Sequence, residues 1–182
     1  MSRNRALCLA AACLLAIPTS SRAQNPITGN ATMMYSMLKV WVMGAAEKMP
    51  EINYRFRPTP EVRAFGEIIG HLADVQYRFC SVLHGEADPK PAVEKSLHTK
   101  AELMAALEAA YAYCDRAYRA VNDSSAATII KLDGRDFPRV GVLNVNNLHI
   151  TLHYGNLITY LRLKNVVPPS SDPAYLPAAP KK

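Results

Sequence analysis

Apolar residues recur along this chain at alternating intervals of three and four, the spacing that gathers them on one face of an α-helix. Four segments carry the pattern, and none shows the sustained alternation of a strand. The first covers about residues 31–49, with Met34, Leu38, Trp41 and Ala45 as its stripe and Pro50 as its stop. The second follows the stretch YRFRPTPEVR and covers about 64–84. Its stripe of Phe65, Ile68, Leu72, Val75, Phe79 and Val82 keeps the rhythm throughout, and Gly85 stands where a helix C-cap favours glycine. The third opens on Thr99-Lys-Ala-Glu102, a capping box in which two side chains satisfy free backbone N–H groups. It continues through Leu103, Leu107, Ala110, Cys114, Ala117 and Val121. The fourth covers about 138–164 through Val142, Val145, His149, Leu152, Asn156 and Tyr160, and Asn165 with Pro168-Pro169 ends it.

Four amphipathic helices of this length bury their stripes most simply against one another. The expected architecture is all-α, a four-helix bundle over residues 24–167. The loops 85–98 and 122–137 are long for helical hairpins, so at least one is expected to cross between parallel neighbours. Thr128-Ile129-Ile130 in the second loop is apolar enough to pack down over the bundle. Residues 168–182 are rich in proline and end on two lysines, and read as a flexible tail. No internal repeat is present.

The first residues change the charge argument. MSRNRALCLAAACLLAIPTSSRAQ has two early arginines, an apolar core over 6–17 and small residues at 21 and 23, the pattern of a signal peptide cleaved after Ala23. The apolar core is short of the roughly 20 residues a spanning helix needs, so no stable membrane anchor is expected. Cleavage removes Arg3, Arg5 and Arg22 and no acidic residue, so the net charge falls from +6 to +3. Nucleic acid thereby loses its main support as a partner. The expected destination is the periplasm or the exterior. Cys80 and Cys114 remain after cleavage, either as a disulfide or as two buried thiols.

The candidate chemistry lies in the histidines. Residues 146–156 read NNLHITLHYGN, and His149 and His153, four apart, share a helix face one turn from each other. His71 falls at the edge of the second helix's stripe, facing inward or along a groove. Three imidazoles with open positions describe a reactive metal centre rather than a closed structural zinc site. Asn146, Asn156 and Asp74 lie within helical reach as partners for the outer ring nitrogens. Asp74 or Glu67 could add a fourth ligand, and Asp74 is the first candidate for a general base. His84 and His98 read as surface residues at helix ends. Arg55 and Arg57 could hold an anionic substrate or decorate a loop, and Arg162 reads as solvated or ion-paired near a helix end. No GxSxG, P-loop, dinucleotide-binding or HExxH motif is present.

The stretches GEIIGHLADVQYRFC and HITLHYGNLITYLRLKNVVPPS resemble the DinB-like family of damage-inducible four-helix-bundle proteins, over most of residues 31–170. The resemblance implies an up-down-down-up topology in which the second and third long helices run parallel. It also implies a divalent metal on one His of the second helix and an HxxxH of the fourth, here His71, His149 and His153, and a homodimer. Some members resemble thiol-dependent transferases or isomerases, and the leader sequence departs from those cytoplasmic proteins. Three readings stand open. One is a metal-dependent hydrolase or transferase acting on a small molecule with zinc, nickel or iron. The others are a non-catalytic metal-binding protein and a protein-interaction bundle. A sizeable cleft beside the histidines favours the enzyme; a site sealed by Trp41 or the tyrosines favours storage.

Overall fold

The computed structural model describes residues 25–176; the leader read over 1–23 and residues 177–182 lie outside the described residues. In chain order the elements are α1 (Pro26–Lys48), α2 (Phe65–His84), a single turn α3 (Val93–Ser96), α4 (Lys100–Ala120), strands β1 (Ile129–Leu132) and β2 (Arg135–Pro138), and α5 (Arg139–Leu163). The four long helices form the expected bundle. Each of α1 and α2 packs against both α4 and α5, so α1 and α2 occupy opposite corners.

Side-chain pairings set the directions. Leu103 lies against Gly66 and Gly70 near the start of α2, while Cys114 is joined to Cys80 near its end, so α2 and α4 run parallel. Asn147 donates to the carbonyl of Ala31 at 2.8 Å, and Tyr154 stacks on Trp41, so α1 and α5 are parallel too. His71 meets His149 and Tyr160 meets Arg63, which makes α2 and α5 antiparallel. This is the up-down-down-up arrangement. It requires the link from α2 to α4 to travel back along a helix of 20 residues, about 30 Å at 1.5 Å per residue. The long loop after Gly85 does so, and α3 lies within it.

Local signals hold where the chain states them clearly. Glu67 accepts from the N–H of Ala64 at 2.7 Å, Gly85 adopts φ +74°, and Thr99 and Glu102 make the capping box. The α2 and α4 stripes are buried apart from a half-buried Val82. Leu72 and Leu107 are fully buried, each worth about 1.5–3 kcal/mol relative to exposure. The core also holds a polar chain. Gln76 and Asn146 pair through their amides at 3.1 and 3.2 Å, the Asn146 amide reaches the Tyr118 hydroxyl, and Tyr118 donates to Asn147 at 2.8 Å. Cys80 and Cys114 form a disulfide with a Cα–Cα distance of 5.2 Å, closing a separation of 34 residues, worth about 3–4 kcal/mol in the loop-entropy account.

The structure corrects the reading of α5. Leu152 is 63% exposed and Asn156 is exposed, whereas Leu143, Asn146, Asn147, Ile150, Tyr154 and Leu157 face the core. The stripe of α1 also turns: Met34 is 39% exposed, and Ala31, Tyr35, Leu38, Val42 and Ala45 are buried. A hairpin occupies much of the long second loop. Asp133 and Gly134, both at positive φ, make its two-residue turn, the Asp-Gly signal for a tight β-hairpin. Ile130 is half-buried against the bundle, but Ile129 is 60% exposed. Residues 168–176 of the expected tail pack along α1. Pro169 is buried, the Tyr175 ring lies over Gly44 where a Cβ would collide with it, and Asp172 pairs with Lys48.

Candidate metal centre

α2 and α5 cross antiparallel with His71 facing His149 and His153. One ring nitrogen from each of the three lies within 4.8 Å of the others. The ring centroids are 4.6 to 5.2 Å apart, and the Nε2 atoms of His71 and His149 approach to 3.1 Å. Two nitrogens bonded to one ion at 2.0–2.2 Å stand about 2.8–3.6 Å apart in octahedral or tetrahedral geometry, so the His71–His149 spacing fits a shared cation. His153 Nδ1 is buried and has no hydrogen-bond partner. Three imidazoles converging from two helices are a donor set that a transition metal takes.

The electrostatics agree. Burial pushes His149 and His153 down to about 4, helped by the neighbouring imidazoles and by Arg63; Arg78 adds to the effect at His149. Burial also lowers His71, and Glu94 opposes that shift. All three are therefore neutral at neutral pH, the form that ligates metal.

The expected outer partners are elsewhere. Asp74 accepts from the N–H groups of Val93 and Glu94 at 2.7 and 3.0 Å, so its carboxylate caps α3 and stands outside the cluster of three histidines. Glu67 is held by the Ala64 N–H and by Arg57 at 2.9 Å. Asn146 belongs to the core chain with Gln76. Asn156 lies on the exposed side of α5, in the cleft wall beside His153. The carboxylate that reaches the cluster is Glu94, whose Oε2 is 3.2 Å from His71 Nδ1 and whose Oε1 accepts from Arg63 Nε at 2.7 Å. Nothing in the local pattern of the crossover singles it out. His84 packs its half-buried ring against Tyr113, His98 is exposed, and Arg162 reaches Ser171. Arg55 is exposed and lines a separate pocket with Arg57.

A cleft of about 410 Å³ opens beside His153, walled by Val62, Arg63, Ile68, Asn156 and Tyr160. It is within the range that takes small molecules. Trp41 does not seal it, because that ring stacks on Tyr154 at 5.5 Å, a residue one position past His153 and so about 100° round the helix.

Comparison with known proteins follows this geometry. A DinB-like protein from Bacillus cereus ATCC 10987 superposes with a TM-score of 0.68 at 11% identity, over 76% of this chain and 93% of that one. The mycothiol-dependent maleylpyruvate isomerase superposes at 0.60 and 17% identity, over 72% of this chain. A histidine-to-alanine mutant of that isomerase gives 0.59 and 16%. This chain spans 60% of the isomerase's length, so the likeness is one of fold. No match was found among curated proteins. The family model of the DinB superfamily matches residues 42–157, a stretch holding all three histidines, and the chain belongs to that superfamily.

Proposed function

We propose that this protein is an exported metalloprotein that binds one divalent transition metal, with zinc, nickel or iron as candidates, through His71, His149 and His153, and acts as a hydrolase or transferase on a small molecule. The observation that carries the reading is the neutral three-histidine cluster opening on a cleft of about 410 Å³. When bound, such an ion supplies a Lewis acid that lowers the pKa of water or of a thiol. The chain's own residues supply a polar and apolar wall: Ile68 and Val62 form its apolar side, and Arg63, whose carbonyl accepts from the Tyr160 hydroxyl at 2.8 Å, lines it with a guanidinium paired to Glu94.

The Cys80–Cys114 disulfide supports the export reading, since such bonds persist in oxidising compartments. That location argues against a cytosolic low-molecular-weight thiol as co-substrate, the dependence named for the isomerase. A second, non-catalytic reading draws on the acids: Asp74, Glu67 and Glu94 are each engaged by backbone or arginine partners, which leaves none of them free as a general base. A homodimer through α1 and α5 completes the proposal, supported by exposed Met33, Val40, Leu148 and Leu152 on those two helices.

Elemental and intact mass analysis of untagged protein, expressed with its leader and purified without chelating resin, tests the core of this. The expected result is a chain beginning at residue 24 that carries one equivalent of metal, and a His149→Ala variant that folds but is metal-free. Full metal occupancy in that variant would sink the ligand assignment, and an uncleaved leader would sink the export reading.

A further inference from the structure

The crossover between the parallel helices α2 and α4 must pass the flank of α2, and it is held there tightly. Gly70 allows the contact: a Cβ at that position would stand 2.7 Å from the Cα and 2.9 Å from the N of Glu94. Asp74, one turn further along α2, accepts from the N–H groups of Val93 and Glu94. The chain enters α3 through Lys90 and Ala92 at φ +47° and +54°, a conformation that side-chain-bearing residues adopt only when their surroundings impose it. Gly70, Asp74 and the α3 turn thus fix one backbone position, that of Glu94, directly beside His71.

We infer that α3 is a positioning device, and that Glu94 selects the nitrogen His71 presents to the cluster. This rests on the metal reading above. Glu94 Oε2 accepts a hydrogen bond from His71 Nδ1 at 3.2 Å, while Arg63 Nε donates to Oε1 at 2.7 Å and stops the carboxylate from rotating away. The ring proton of His71 therefore sits on Nδ1. Its lone pair is on Nε2, the atom 3.1 Å from His149 Nε2. A carboxylate on the outer nitrogen of a metal-binding imidazole orients the ring and raises its basicity, and losing such a partner typically weakens metal binding by about 10- to 100-fold. Glu94 is a positioning residue: it touches His71 and not the place where an ion would sit.

Two readouts test this on the full chain. Long-range 1H–15N correlation of the histidine rings in metal-free protein reports the tautomer. It should show the His71 proton on Nδ1 in the wild type and a shift away from that tautomer in Glu94→Ala. Titration with Zn2+ should show affinity about 10- to 100-fold weaker in Glu94→Ala. Glu94→Gln, whose amide oxygen still accepts from Nδ1, should fall in between. An unchanged tautomer in Glu94→Ala, or Zn2+ affinity within about twofold of wild type, overturns the inference. A wild type that takes up no Zn2+ overturns the metal reading instead, and the tautomer alone then decides the role of Glu94.

Discussion

Asp123 shows how a single half-buried side chain can serve two distant parts of the chain. Its carboxylate accepts from the N–H groups of Ile27 and Thr28 and from the Thr28 hydroxyl, capping the start of α1 from a loop 95 residues away. Pro26 and Asn25 offer no side-chain cap of their own. Bonds to Thr28 hold the Asp123 carboxyl below its ordinary value of 3.8. A depressed folded-state pKa means that this contribution is complete at neutral pH and is lost as pH falls below that value. The protection factors of the Ile27 and Thr28 amides, which remove the pH dependence of intrinsic exchange, should fall as pH drops through and below 3.8 in the wild type, and be low at neutral pH already in Asp123→Ala. Protection factors that stay constant across that range in the wild type would show that Asp123 does not secure the helix. Such a cap joins residues far apart in sequence, so no local motif announces it; the Thr99–Glu102 box, three residues apart, was readable at once.

At the scale of the element, legibility followed how sharply each helix separates its polar and apolar sides. α2 and α4 keep their charged residues off the apolar stripe, and their stripes fix a single rotation. α5 carries no charged residue from Val140 to Leu161, so several rotations of that helix look equally apolar. The spacing put Leu152 inside, yet the neighbours of α5 turned Leu152 out and His153 in. His149 and His153 survived the error because residues four apart move together under any rotation. The hairpin was missed because four-residue strands are too short to show alternation, although Asp133-Gly134 marked its turn. The turn α3 depends on Gly70, and this gives an element-scale prediction. Gly70→Ala should displace α3 from α2, lowering thermal stability by several degrees and weakening Zn2+ binding through loss of the Glu94 contact. Wild-type melting and wild-type affinity in that variant would show that the close approach is dispensable.

Over the whole molecule, α1 and α5 lie side by side with Met33, Val40, Leu148 and Leu152 exposed, between 48% and 70%. Lys39, the one charged residue of α1 before Glu47, is drawn toward α4 by Asp115 at 2.8 Å. Exposed apolar clusters of this kind mark association surfaces. Light scattering should give the mass of two chains for the wild type and one for Leu152→Glu, with the monomer's melting temperature changed little because Leu152 makes no core contact. A monomeric wild type would remove the dimer from the proposal.

The sequence by itself determined the four long helices, the boundaries set by Gly85 and Thr99, and the three histidines, because each rests on interactions within a few residues. Tertiary structure alone decided which side of α5 is buried, that Cys80 and Cys114 are joined, and that Asp74 caps a turn while Glu94 meets His71. Each of those outcomes depends on segments brought together across the bundle. A carboxylate's role is set by the donors that reach it, and for Asp74 and Glu94 those donors sit about 20 residues away in the chain and come within reach only when the parallel crossover folds back along α2.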